Sequence, residues 1–194
     1  MEKILVKDID KINLDGKVIV FPTDTVYGLG CKIDDKLAIK KIYEIKNRDY
    51  SKPLAVLAPN KDIDAYVEKI SAKAKILMDK YWPGALTIVF EKSDKIDDMV
   101  TSNLKSVGIR VPNSDIALSV LKRFGLMCTT SINISGSEPL NNIEDIEKFF
   151  KDKIDYLVID ECTLSKISST VVDARCDDLK ILRNGDIKIE SLFL

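Results

Sequence analysis

The chain has 194 residues, 45% hydrophobic and 31% charged, with 30 Lys and Arg against 31 Asp and Glu for a net charge of −1. That length supports one sizeable core, and the balanced charge gives no support to a protein that coats nucleic acid with an overall basic surface. Histidine is absent altogether, which removes Ser-His-Asp and Cys-His nucleophilic machinery and any histidine base.

Cys31, Cys128, Cys162 and Cys176 are widely separated and form no CxxC pair. Reduced thiols are therefore expected, rather than a zinc site or a disulfide framework. The opening MEKILVKDID lacks the apolar core of a signal peptide, and the longest charge-free run (124–137) is too short and too polar to span a bilayer. A cytoplasmic protein without membrane contact is expected.

In chain order, the first strand is KVIVF (17–21), and it stops in PTDTVYGLG (22–30). Three short polar side chains, Thr23, Asp24 and Thr25, followed by Tyr27, Gly28 and Gly30, fit a tight turn or one wall of a small-molecule site. GLGC lacks the third glycine of GxGxxG, and no GxxxxGK[ST] occurs, so neither a dinucleotide fold nor a P-loop is expected. In DKLAIKKIYEIKNR (35–48), Ala38, Ile42 and Ile45, with Ile39 and Tyr43, form one apolar helical face. Lys46 and Arg48 close that segment, with Lys52 nearby. They suit either a solvated helix end or a polyphosphate.

A strand at 54–58 precedes a helix over 72–82 capped by Ser71, with Gly84 as its stop. Strands follow at 86–90 and 107–111. Arg110 interrupts the second, VGIRV, where a charge needs a partner or a cleft. A bidentate grip on a ligand carboxylate and an internal salt bridge both answer that need. Ser114 caps a helix over 115–124, stopped by Gly125. The strand at 126–130 runs into CTTSINISG, a dense uncharged cluster of Thr129, Thr130, Ser131, Asn133 and Ser135. Ile143, Ile146, Phe149 and Phe150 mark a further amphipathic helix. Strands at 156–160, 170–174 and 179–183 complete the chain, the last two as a hairpin. No linker, repeat or low-complexity tract divides it. A single α/β domain over 1–194 with a mixed sheet is expected.

Separately these polar groups are unremarkable, but their order is not. PTDTVYGLG, KNR, SKPL, WPGALT, GIRVP, SINISG, STVVD and LRNG, in sequence from Pro22 to Gly185, strongly resemble the YrdC-like family of threonylcarbamoyl-AMP synthases. The resemblance implies a twisted mixed sheet flanked by helices, with a concave basic cavity. It implies an enzyme, a nucleotidyltransferase, that makes threonylcarbamoyl-AMP and pyrophosphate from L-threonine, bicarbonate or CO2 and ATP with Mg2+. That is the first step of t6A modification of tRNA.

Carried over residue by residue, Thr25, Arg110, Thr129 and Ser169 would bind threonine, with Arg110 on its carboxylate. Lys46 and Arg48 match the KxR pair that faces the ATP phosphates, and they would carry the catalytic charge stabilisation. Ser131, Asn133 and Arg183, with Lys52 and Ser106 as further candidates, would complete the nucleotide site. No side-chain metal ligand is implied. The implied partners are the three substrates, the downstream threonylcarbamoyl transferase machinery, and tRNA or double-stranded RNA.

Three departures stand out. Ile132 replaces the usual alanine of SANxSG, Leu57 stands where many longer relatives carry a histidine, and SEPL (137–140) replaces a Ser/Thr-rich continuation. The chain ends soon after LRNG, as expected of the short form without an additional C-terminal domain. A double-stranded-RNA-binding module and a maker of another carbamoyl adenylate are the competing readings.

Overall fold

The computed structural model describes residues 1–176 and 178–188. Ten strands form one mixed sheet: β1 (Glu2–Ile4), β2 (Ile19–Pro22), β3 (Tyr27–Lys32), β4 (Ala55–Leu57), β5 (Leu86–Glu91), β6 (Ser106–Arg110), β7 (Met127–Ser131), β8 (Tyr156–Val158), β9 (Thr170–Asp173) and β10 (Lys180–Arg183). Their spatial order is β1-β8-β2-β3-β7-β4-β6-β5-β9-β10. Pairs β1/β8, β2/β8, β4/β6 and β5/β9 are parallel and the rest antiparallel, so the expected mixed sheet and C-terminal hairpin are both present.

The helices are α1 (Lys36–Lys46), α2 (Ala72–Tyr81), α3 (Asp98–Thr101), α4 (Asp115–Phe124) and α5 (Ile143–Phe150). Side chains cap each of them. Asp35, Ser71, Asp97, Ser114 and Asn142 accept from the amides of Ala38, Ala74, Met99, Ala117 and Asp145, each supplying an acceptor to an otherwise orphaned N–H. Gly125 ends α4 as expected, whereas α2 closes at Trp82, two residues before Gly84. Among the described residues no helix is long and apolar enough to cross a membrane.

Strand periodicity divides the sheet into two faces. On one face, Val20 of β2, Leu29 and Cys31 of β3, Val56 of β4, Ile88 of β5 and Ile109 of β6 join the larger core, under α1, α2 and α5. On the other, Ile19 and Phe21 of β2, Leu57 of β4, Met127 of β7, and Tyr156 and Val158 of β8 pack against Ala117, Val120 and Leu121 of α4. Ile9, from the 3-10 turn Val6–Lys11, completes that smaller cluster. The first face is covered along its length. The second is covered only where α4 and the turn lie, and its remainder is the floor of a hollow.

Candidate active site

That floor is built from alternate residues of neighbouring strands. Gly28 of β3, Thr129 and Ser131 of β7, Ala55 and Leu57 of β4, Ser106, Gly108 and Arg110 of β6, Thr87 and Val89 of β5, and Val171 of β9 all line one hollow of about 390 Å³. Register puts them on one face: Gly28 opposes Ser131, Ala55 opposes Thr129, Leu57 opposes Arg110, Gly108 opposes Val89, and Thr87 opposes Val171. The intervening residues, such as Val107, Ile109, Ile88 and Leu29, are buried in the larger core. A strand can thus be apolar on its packed side and small or hydroxylated on its open side. Gly30 fits this pattern, since a Cβ there would come within 3.0 Å of the Thr129 methyl and 3.2 Å of the Phe21 ring.

β3 is a strand that the sequence pattern does not announce, PTDTVYGLG fitting a turn or a wall. It is partly both. Thr23 makes a tight turn, its hydroxyl donating to Val26 O at 2.7 Å and accepting from the Thr25 amide at 3.1 Å. The chain then returns antiparallel to β2 as Tyr27–Lys32. Glycine weakens any strand signal, yet Tyr27, Leu29 and Cys31 alternating with Gly28 and Gly30 is a strand pattern with one face left bare.

Arg110 makes the internal ion pair and also lines the hollow. Its Nε donates to Gly84 O at 2.9 Å, its Nη1 to Thr25 Oγ1 at 2.8 Å, and its Nη2 to the Asp24 carboxylate. It is buried and also lines the hollow. Burial pulls its pKa below the ordinary guanidinium value, while Asp24 works in the opposite direction and Arg183 adds to the lowering. A guanidinium has five N–H donors, so the three internal bonds leave two for a ligand. Asp24, whose main-chain oxygen accepts from the Ser165 amide at 3.0 Å, is held from behind by the 160–169 segment.

At the other end, Arg48 lines the hollow with its Nε on Lys52 O at 3.1 Å and its Nη2 on Pro53 O at 2.8 Å. Arg183 lines the third side. It donates through Nε and Nη2 to Ser169 O at 3.0 and 2.7 Å, and through Nη2 to Ser169 Oγ at 3.0 Å. Gly185 makes that approach feasible: a Cβ would sit 2.2 Å from Ser168 O and 2.4 Å from Thr170 N. Among the described residues, three arginines and no carboxylate line the hollow, an arrangement complementary to an anion.

Lys46 lies behind this wall. Its side chain is essentially buried, and its ammonium donates to Ser131 O, to Asn133 O at 3.0 Å and to Asn133 Oδ1 at 2.6 Å. Burial, then the nearby Arg48, lowers its pKa to about 7. Asn133 also accepts from Ser131 Oγ at 2.8 Å and donates to Ile134 O and Ser137 O at 3.0 and 2.6 Å. Lys46 and Asn133 therefore fix the shape of the 131–137 loop. Ile132, the bulky replacement in this loop, turns fully into the main core.

Of the residues singled out from sequence, Thr25, Arg48, Ser106, Arg110, Thr129, Ser131, Ser169 and Arg183 line the hollow together. Lys46, Lys52 and Asn133 do not line it. Lys46 and Asn133 reach it through Ser131, and Lys52 through its carbonyl, which anchors Arg48 and accepts from Tyr43 at 2.9 Å. Leu57 borders the hollow while packing in the α4 cluster. Thr87 and Gly108 have no individual site role in the sequence analysis. Their signal was the alternation of small residues with large apolar ones along a strand.

The Sua5/YciO/YrdC family model, described as Telomere recombination, matches residues 11–185. The chain belongs to this family. A Methanocaldococcus jannaschii relative is 36% identical over 92% of this chain and 84% of its own length. The threonylcarbamoyl-AMP synthases of Pyrococcus abyssi and Bacillus subtilis are 32% and 35% identical over 92% of this chain, which spans only 53% and 52% of their lengths. In structure, P. abyssi Sua5 complexed with L-threonine superposes with a TM-score of 0.88 at 30% identity, covering 96% of this chain and 54% of that one. Escherichia coli YciO superposes at 0.84 and 27% identity, covering 97% and 90%.

Proposed function

We propose that the chain is a threonylcarbamoyl-AMP synthase that joins L-threonine, bicarbonate or CO2 and ATP. The observation that carries this reading is the meeting of Arg110, Arg48 and Arg183 in one hollow floored by glycines and hydroxyls. The hollow can receive two anionic reactants side by side. The names of the P. abyssi and B. subtilis relatives, and the threonine complex of P. abyssi Sua5, support the same substrate.

The threonine carboxylate takes the two N–H donors of Arg110 that the protein leaves free, with Thr25, Thr129 and Ser169 around the amino acid. Arg48, Arg183, Ser106 and the Ser131 loop surround the nucleotide, and Lys46 acts on it through that loop. The threonine amine captures CO2 as a carbamate. A carbamate oxygen then bonds to the α-phosphorus as the bond from that phosphorus to the pyrophosphate oxygen breaks. The nucleophile arises from the substrates, so the absence of histidine costs nothing. The protein supplies position and fixed positive charge as pyrophosphate leaves.

The lining, arginines and neutral hydroxyls, does not fit a protein-held Mg2+, and the described residues contain no cluster of three acidic or cysteine ligands. The ion accompanies the triphosphate. The product carries the threonylcarbamoyl group to a transferase acting on tRNA in the cytoplasm.

Incubating the protein with ATP, Mg2+ and bicarbonate and each amino acid in turn tests this. Pyrophosphate release and threonylcarbamoyl-AMP mass should appear with threonine. Product with another amino acid would name another carbamoyl adenylate instead. Salt-sensitive RNA binding without any turnover would overturn the enzymatic reading.

A further inference from the structure

WPGALT ends in a residue to which the reaction above assigns no task. Thr87 lies on β5, nearly fully buried yet on the lining of the hollow, and its hydroxyl is 2.8 Å from Ser169 Oγ. Ser169 Oγ also accepts from Arg183 Nη2 at 3.0 Å. The proton count of this trio is informative. Two hydroxyls own two O–H donors, their mutual bond uses one, and Arg183 has no acceptor to offer. Whichever hydroxyl donates in the mutual bond, one O–H remains to be answered, and both residues line the hollow.

Gly108 holds the pair in this orientation. It sits on the neighbouring strand β6, and a Cβ there would come within 3.1 Å of the Thr87 methyl. The absent side chain lets Thr87 lay its methyl over Gly108 and turn its hydroxyl to Ser169.

Resting on the synthase reading above, we propose that Thr87 is a specificity-determining positioning residue that aims the leftover O–H of the Thr87–Ser169 pair at the side-chain hydroxyl of the amino acid. Thr87 neighbours Arg110 across the β5/β6 ladder, next to the Ile88–Ile109 pair, so an amino acid held by its carboxylate on Arg110 presents its side chain to these hydroxyls. Valine matches threonine in shape but would leave the donor unanswered beneath the bound ligand. A donor left unpaired in this way discriminates far more strongly than a missing methyl group.

The test compares kcat/KM for threonine and valine, and calorimetric threonine binding without ATP, in wild type, Thr87→Val and Thr87→Ser. Thr87→Val should raise the threonine KM roughly tenfold to a hundredfold with little change in kcat, and shrink the threonine-to-valine preference by a similar factor. Thr87→Ser should restore both. Should Thr87→Val fail to fold, Gly108→Ala, which displaces the Thr87 side chain without deleting it, is expected to lose the same preference. A threonine-to-valine ratio unchanged in the folded variant, beside an active wild type, overturns the role of Thr87 alone. A wild type with no threonine-dependent product sinks both the role and the function it rests on.

Discussion

Replacing Lys46 by methionine removes a titrating ammonium from behind the wall of the hollow while keeping most of its volume. Folded, Lys46 titrates near about 7 against a reference of 10.5, because burial and Arg48 both disfavour its charge. The unfolded chain therefore binds more protons between those two values, and stability must rise with pH across that window. With these two pKa values, linkage gives a gain of about 2 kcal/mol between pH 7 and pH 9, and less than ~0.5 kcal/mol between pH 6 and pH 7. Urea unfolding of wild type and Lys46→Met at each pH, taken as a difference, isolates this one group from every other titration. The difference should climb above pH 7 and be nearly flat below it. A flat difference up to pH 9 would refute the reasoning. It would mean that Ser131 O, Asn133 O and Asn133 Oδ1 hold the proton on Lys46 against the cost of burial. If the climb is seen, the neutral amine has two N–H groups for three oxygens, so the 131–137 loop loosens as pH rises.

Three further outcomes follow from the geometry of the hollow. Gly28→Val should leave the fold intact, because an added Cβ meets nothing closer than 3.9 Å, yet fill the floor. Calorimetry should show ATP affinity falling at least ~10-fold while the melting temperature changes by no more than about 2 °C, the scale of a neutral surface change. Gly185→Ala places a Cβ among backbone atoms of Ser168–Thr170. It should cost about 3 kcal/mol or more in urea unfolding and raise the threonine KM as Arg183 leaves Ser169. Arg48→Ala should reduce kcat by at least ~100-fold, the scale of a lost transition-state charge contact, and near-normal turnover in a rapid pyrophosphate assay would remove Arg48 from the mechanism.

Much of the fold is legible in the sequence because most strands and helices carry a one-sided apolar signal. The eight strands and four helices read from periodicity all occur, with boundaries within a residue or two. β1, β3 and α3 escaped that reading for different physical reasons. α3 is too short to show a period, with four residues, β1 exposes Glu2 and Lys3 and buries only Ile4, and β3 presents glycine where a strand usually presents bulk. The site was legible only as a series of polar clusters. Arg110 announced itself because a charge inside VGIRV had to be answered, and it is answered by Asp24 and Thr25 as well as by the hollow. Lys46 illustrates the opposite case. Its place beside Arg48 in KNR suggested a shared direction, but α1 ends between them at Asn47, which adopts a left-handed conformation (φ 48°). The two cations consequently diverge, and nothing in the local sequence specifies how far.

The alternation that leaves one sheet face bare has a genetic consequence. Along β5 and β6, neighbouring codons answer to different constraints: Ile88, Val107 and Ile109 to the interior, Thr87, Ser106 and Gly108 to the hollow. A single-nucleotide change at one of the latter can alter what the protein recognises while the hydrophobic architecture beneath it stays untouched. The lining of the hollow can thus drift one step at a time within an unchanged scaffold.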